Sequence, residues 1–255
     1  MTPHRPIASP HLSKTAAEPA FGFDRCQVFF DFDNTITSFD VLDGIIERFS
    51  VNRDWVAYEE AWEKGEIGSR QCLEGQLRSI RVTRPQLHGY LETVGIDPSF
   101  QRLLALLRRC GLEPVIVSDS FTPLIRYVLE FNKIGSMPIF ANSLRMQGSR
   151  LLPSFPRASA ECGRCGHCKT STLGAPGFAG KPAVYIGDGL SDQCPARHAE
   201  MVFAKRGCSL HRLLLESHDN CRPFNDLGDV YFFFKEFIDE CTAFGSREPD
   251  TITAF

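Results

Sequence analysis

The stretch Cys26-Gln-Val-Phe-Phe-Asp-Phe-Asp-Asn-Thr-Ile-Thr37 limits what this chain can fold into more than any other. Val28, Phe29 and Phe30 make a short β-branched and aromatic run, as expected of a strand buried on both faces. The run delivers Asp31 and Asp33 to the carboxyl end of that strand, where ligands bind in open α/β sheets. Alternate residues of a strand face opposite ways, so the two acids share one side while Phe32 turns back into packing. Adjacent carboxylates repel, and a hard divalent ion such as Mg²⁺ between them relieves the pair. Asn34 and Thr35 follow as turn formers. An isolated pair of this kind can also be a strand end whose acids cap the next loop. An EF-hand loop is excluded, because Ile36 stands where its glycine is required and Leu42 where its twelfth-position acid belongs.

With 255 residues the chain can bury a sizeable core, as one α/β domain with an insertion or as two small domains. Its 43% hydrophobic and 23% charged residues are those of an ordinary globular protein, and a net charge of −3 offers nothing to nucleic acid or an anionic membrane. No apolar run reaches transmembrane length. Residues 1–22 have no seven-residue apolar core and read as a flexible tail rather than a targeting segment. Ten cysteines spread along a chain of this size, without an export signal, are expected as reduced thiols in the cytoplasm.

After the first strand, residues 39–110 read as helical: a helix from Asp54 through Trp55 and Trp62 to Gly65, another opened by Ser69, and a third from Asp97-Pro98 to Gly111. That is too much helix for a simple crossover, so most of it is expected as a helical cap, the last helix returning to the sheet. Pro114 to Ser120 and Ala183 to Gly189 repeat the pattern of an apolar run ending in polar residues; Met201 to Ala204 reads as a further strand. Ile139 to Ser143 and Arg150 to Phe155 suggest a hairpin, and the Phe-rich segment Leu227 to Phe237 a closing strand or helix. The expected fold is α/β: a parallel, Rossmann-like core over 23–38 and 111–245, a cap over 39–110 and a tail over 246–255. A dinucleotide fingerprint at Gly187-Asp-Gly189 fails, since Asp192 stands where its third glycine belongs.

In order, Asp31-x-Asp33-x-Thr35, Ser118 after an apolar strand, Lys169, and Gly187-Asp-Gly-Leu-Ser-Asp192 resemble the haloacid dehalogenase superfamily, in its phosphoserine-phosphatase-like branch. The resemblance spans about residues 26 to 240. It implies hydrolysis of a phosphate monoester with Mg²⁺: Asp31 attacks phosphorus, and Asp33 serves as acid and then base while binding the metal through its main-chain carbonyl. Ser118 and the amide of Asp119 would hold phosphoryl oxygens, Asp188 would ligate Mg²⁺, and Asp192 would steady the metal or its waters. Lys169 is implied as the phosphate-binding lysine, with Lys181 expected at the opposite end of the sheet. Dehalogenases lack the second acid, so Asp33 points to a phosphatase. A catalytically inactive phosphate-binding protein on the same fold, and phosphotransfer to an acceptor other than water, are the other readings.

For the substrate, aligning Gly65 to Leu73 with the cap of phosphoserine phosphatases puts Glu74 where those enzymes carry an arginine, which disfavours a carboxylate-bearing substrate. Asp40, nine residues past Asp31, matches a substrate-side acid, or else is a helix N-terminal residue. Tyr185 to Pro195, Val202 to Gly207 and Cys162-x-x-Cys165 resemble phosphoethanolamine/phosphocholine phosphatases, for whose cations Asp40, Glu74, Trp55 and Trp62 are suitable partners. Gly65 to Arg70, Cys168 to Ser171 and Cys221 to Val230 resemble the methionine-salvage phosphatase of 2-hydroxy-3-keto-5-methylthiopentenyl-1-phosphate. Pyridoxal phosphate is a further candidate. Cys162, Cys165 and Cys168 have the spacing of half a zinc site, for which His167, Cys194 or His198 could supply a fourth ligand; reduced thiols in a tight loop are the plainer reading.

Overall fold

The computed structural model describes residues 25–215 and 220–245, and side chains up to residue 238; the tails expected over 1–22 and 246–255 lie outside the described residues. Strand β1 (Gln27–Phe30) is fully buried and lies at the centre of a seven-stranded sheet. It is followed by helices α1 (Val41–Phe49), α2 (Trp55–Glu63), α3 (Ser69–Arg78) and α4 (Arg84–Leu91), the expected helical excursion. Helix α5 (Phe100–Arg109) leads to β2 (Val115–Phe121), α6 (Thr122–Phe131), β3 (Ile139–Gln147) and β4 (Arg150–Ser154). A long loop precedes α7 (Lys169–Leu173), then β5 (Ala183–Gly187), α8 (Gln193–Ala196), β6 (Met201–Lys205), α9 (Ser209–Leu214), β7 (Cys221–Phe224) and α10 (Leu227–Gly245).

The strand order is β4-β3-β2-β1-β5-β6-β7, and every pairing is parallel except β3 with β4. The order reverses at β1, between β2 and β5, which is the topological switch point of such sheets. Val28 and Phe30 join the core under α1, α5 and α10, whereas Phe29, Val115, Val117, Tyr185 and Val202 face Leu173, Leu210 and Leu214 on the other side. The strand period of two thus feeds two hydrophobic layers. Each fully buried Val or Phe of β1 contributes about 1.5–3 kcal/mol relative to exposure.

The excursion is closed by local signals. Thr83 and Gln86 form a capping box at α4, α2 gives way to Gly65 at φ +74°, and α5 gives way to Gly111 at φ +76°. Asp97 ties α5 to α10: Oδ1 accepts from the Ser99 amide and Oδ2 from the Leu227 amide. The closing segment is a helix, with Leu227, Val230 and Phe234 buried at helical spacing. Strand β7 was not foreseen; as an edge strand it is short, partly exposed and carries Pro223.

Candidate functional site

At the carboxyl end of β1 the chain folds into a turn in which the amides of Thr35, Ile36 and Thr37 all point at the Phe32 carbonyl (3.3, 3.0 and 3.2 Å). Asn34 takes φ +51°, a left-handed conformation that asparagine tolerates. Its Nδ2 donates to Asp188 Oδ2 at 2.7 Å, and Lys205 Nζ donates to its carbonyl (2.5 Å) and Oδ1 (3.0 Å). The turn therefore carries Asp31 and Asp33 and also joins β1 to the loop after β5.

Asp31, Asp33, Ser118, Asp119 and Asp188 line one cavity, and Asp40 lines it from the start of α1. Lys169 Nζ, 3% exposed as a residue, lies 2.6 Å from both Asp31 Oδ1 and Asp192 Oδ1 and donates to Ser191 Oγ at 3.1 Å. Burial alone would discharge this ammonium, but Asp192 and Asp31 more than offset it and hold its pKa well above the ordinary lysine value. Asp31 is pushed up by burial and by Asp192 against the pull of Lys169. Lys181 is exposed at the opposite end of β5, as its position before that strand requires.

Asp33 Oδ1 accepts the Val41 amide at 2.9 Å, which fixes the side chain at the N-terminus of α1. Burial first, then the nearby Asp40, raises its pKa well above that of a free carboxylate, the condition a general acid needs. Ser118 Oγ accepts the Ser120 amide at 2.9 Å. Asp119 is held at both ends: Oδ1 accepts the His167 amide at 2.7 Å, and its carbonyl accepts Asn142 Nδ2 at 2.6 Å.

Both oxygens of Asp192 are engaged. Oδ1 accepts Lys169 Nζ and the Tyr185 hydroxyl (2.5 Å), and Oδ2 accepts the amides of Asp188 and Gly189, each at 3.0 Å. Asp31, Asp188 and Asp192 are the one group of three His, Cys, Asp or Glu among the described residues close enough to share a metal ion, their ligand atoms within 4.8 Å of one another. An all-oxygen set of this kind suits a hard ion such as Mg²⁺.

Two expectations are corrected. Glu74 does not reach the cavity: α3 turns Ser69, Cys72, Leu73 and Gln76 toward it, a stripe at i, i+3, i+4 and i+7, and Glu74 lies off that stripe, paired with Arg70 at 3.1 Å. The zinc cluster does not assemble either. Cys162 and Cys165 are unbridged thiols whose side chains hydrogen-bond each other, but among the described residues no third Cys, His or acid comes close enough to share an ion with them; Cys168 stands at the N-cap position of α7 and its Sγ accepts from Ser171 Oγ, while His167 Nε2 faces Thr172 Oγ1. Trp55 packs on the core instead of lining the cavity, whereas Trp62 does line it.

Sequence reasoning also missed residues. Asp43 and Glu59 line the cavity; Asp43 is pushed up to about 7 by burial and then by Glu59, and Glu59 accepts Gln76 Nε2 at 2.6 Å. Asp43 has a signal in its position one helical turn after Asp40, but Glu59 acquires its place only through the packing of α2 on α3. Tyr185, apolar in pattern, hides a hydroxyl that serves Asp192.

Comparison with known proteins agrees with this geometry. A 2-hydroxy-3-keto-5-methylthiopentenyl-1-phosphate phosphatase of Brevibacillus brevis is 26% identical over 182 residues, covering 70% of this chain and 82% of its own. The pyridoxal phosphate phosphatase PHOSPHO2 of Mus musculus is 26% identical over 213 residues, covering 76% and 88%. A solved substrate-bound phosphoserine phosphatase complex shares the fold, with a TM-score of 0.63 at 17% identity over 82% of this chain and 98% of that one. The profile of the haloacid dehalogenase-like hydrolases matches residues 28–197, more than half of the sequence, and the chain belongs to that family.

Proposed function

We propose that this protein is a Mg²⁺-dependent phosphatase of small phosphate monoesters that works through an aspartyl-phosphate on Asp31. The observation that carries the reading is Asp31, which lines one cavity with Asp33, Ser118 and Asp188 and is held from behind the lining by the buried Lys169, itself paired with Asp192. In the first step an Asp31 carboxylate oxygen bonds to phosphorus and the ester P–O bond breaks, while Asp33 gives its proton to the leaving oxygen. In the second, water attacks the same phosphorus, Asp33 takes its proton, and Asp31 is released with inorganic phosphate. Ser118, the Asp119 amide and Lys169 hold the phosphoryl oxygens. Asp31, Asp188 and the Asp33 carbonyl would hold Mg²⁺, which when bound supplies charge screening between Asp31 and the phosphate dianion. Asp192, with both oxygens committed, steadies Lys169 and the loop of Asp188.

Small phosphorylated metabolites suit the cavity, and the helical excursion acts as the cap over it. Similarity to the Brevibacillus enzyme supports the methionine-salvage enolphosphate as substrate, and similarity to PHOSPHO2 supports pyridoxal phosphate. A second reading is favoured by one feature of the wall: Asp40, Asp43 and Glu59 meet beside Trp62, with no Lys or Arg among the lining residues, which suits an ammonium-bearing leaving group such as that of phosphocholine or phosphoethanolamine. The same wall disfavours phosphoserine. Turnover of a generic aryl phosphate with Mg²⁺, lost by at least about 10³-fold in Asp31→Asn, tests the reaction. Wild-type protein with no turnover would leave an inactive phosphate-binding protein in its place. A panel of the salvage enolphosphate, pyridoxal phosphate, phosphocholine, phosphoethanolamine and phosphoserine then ranks the substrates by kcat/KM.

A further inference from the structure

Between β4 and α7 the chain leaves the sheet, touches the helical excursion and returns, and residues 164–167 bind α3 and the end of β2 where the cavity-lining Ser69 and Asp119 hydrogen-bond each other. Arg164 Nη2 donates to the carbonyls of Gly65 (2.8 Å) and Ile67 (3.2 Å), and the Arg164 carbonyl accepts the Arg70 amide at 3.2 Å. The Gly166 amide donates to Ser69 Oγ at 3.1 Å, and the next amide, that of His167, donates to Asp119 Oδ1 at 2.7 Å. Ser69 belongs to the α3 wall and Asp119 to the β2 wall, and Lys169 follows two residues later.

The chemistry fits a fastening. Gly65 and Ile67 lie in the turn between α2 and α3, where carbonyls lack helical partners, and one guanidinium group can donate to both. Gly68 completes the fit: a Cβ there would stand 2.1 Å from the Arg164 carbonyl oxygen, so only glycine lets the two backbones approach.

We propose that the 164–167 strap is a latch that sets how the α2–α3 wall sits over the phosphoryl site, and that Arg164 is its positioning residue. The proposal rests on the phosphatase reading above and extends it. Ser69, Cys72, Leu73 and Gln76 face the cavity from α3, so a loosened α3 weakens contacts to the leaving group, while Asp31, Asp33 and Lys169 on the sheet side keep their geometry. Substrate affinity therefore depends on the latch, and the chemical step does not.

With p-nitrophenyl phosphate and Mg²⁺, Arg164→Ala and Gly68→Ala should each raise KM about tenfold and leave kcat within about threefold. The double variant should be no worse than the worse single one, because the two substitutions act on different contacts of one strap and either alone releases it. Arg164→Lys, whose ammonium keeps the charge and the donors on a shorter side chain, should recover part of the loss. Hydrogen exchange supplies a readout independent of turnover: in Arg164→Ala the amides of Arg70 and Gly166, on the α3 side, should exchange faster while those of His167, β1 and β5 are unchanged. If wild-type protein lacks phosphatase activity, the exchange measurement still decides the latch. Unaltered exchange at the Arg70 and Gly166 amides overturns it, as does an unmoved KM in active Arg164→Ala or a double variant whose effects simply multiply.

Discussion

Lys169 sits almost without solvent between two carboxylates, and each partner needs the other. Removing it by Lys169→Met leaves Asp31 and Asp192 facing one another unneutralised; a loss of roughly 3–5 kcal/mol at neutral pH, read as a lower urea midpoint, is expected together with lost turnover. His167 is a different buried group. Burial first, then the Lys169 charge, lowers its pKa from 6.5 to about 3, so the folded protein keeps it neutral where the unfolded chain already binds a proton. Its contribution is complete above about pH 6.5 and declines as pH falls toward 3, at about 1.4 kcal/mol per pH unit. Against His167→Gln, the wild type should lose about 2 kcal/mol of its relative stability between pH 7.5 and pH 5.0; an unchanged difference would refute the assignment. At this scale Asp31, Asp33, Ser118 and Asp188 stood out because each ends a recognisable apolar run, whereas Lys169 was marked by the family resemblance alone. Glu74 was misplaced because an alignment by spacing takes no account of the face of the helix it lands on.

Among elements, α2 and α3 depend on one close approach. A Cβ on Gly75 would lie 2.4–2.5 Å from the Tyr58 ring, so Gly75→Ala should separate the two helices at a cost of about 1–3 kcal/mol in chemical denaturation. Adding Tyr58→Ala should recover part of that cost, since the clash then has no partner. Strand β5 offers a contrasting test: Tyr185→Phe removes one hydroxyl from Asp192 and should cost about 1 kcal/mol while Lys169 stays in place. The β-α alternation was readable because strand and helix periods differ and Gly65 and Gly111 mark ends in the sequence. The edge strand β7 was not, because Cys221-Arg-Pro-Phe has neither an alternating nor a continuous apolar pattern and is ordered by pairing with β6.

At the scale of the whole molecule, the seven-stranded sheet of the described residues and the helices around it bring one strand-end turn, two later loops and α7 to the switch point at β1. No helix among the described residues is long and apolar enough to cross a membrane. Washing with a chelator should abolish aryl phosphate turnover, Mg²⁺ should restore it, and added Mg²⁺ should raise the melting temperature by mass action on the folded state. Metal analysis of the washed protein should find no retained zinc. The sequence by itself determined the two acids at the tip of β1, the α/β alternation and the length of the helical excursion, because each is written in local periodicity and in residues with strong turn preferences. Only the tertiary structure decided which lysine meets Asp31, that Asp43, Glu59 and Trp62 form the acidic wall, and that Arg164 fastens α3. Those contacts join residues far apart in the chain, and no local pattern records which faces meet once the layers pack.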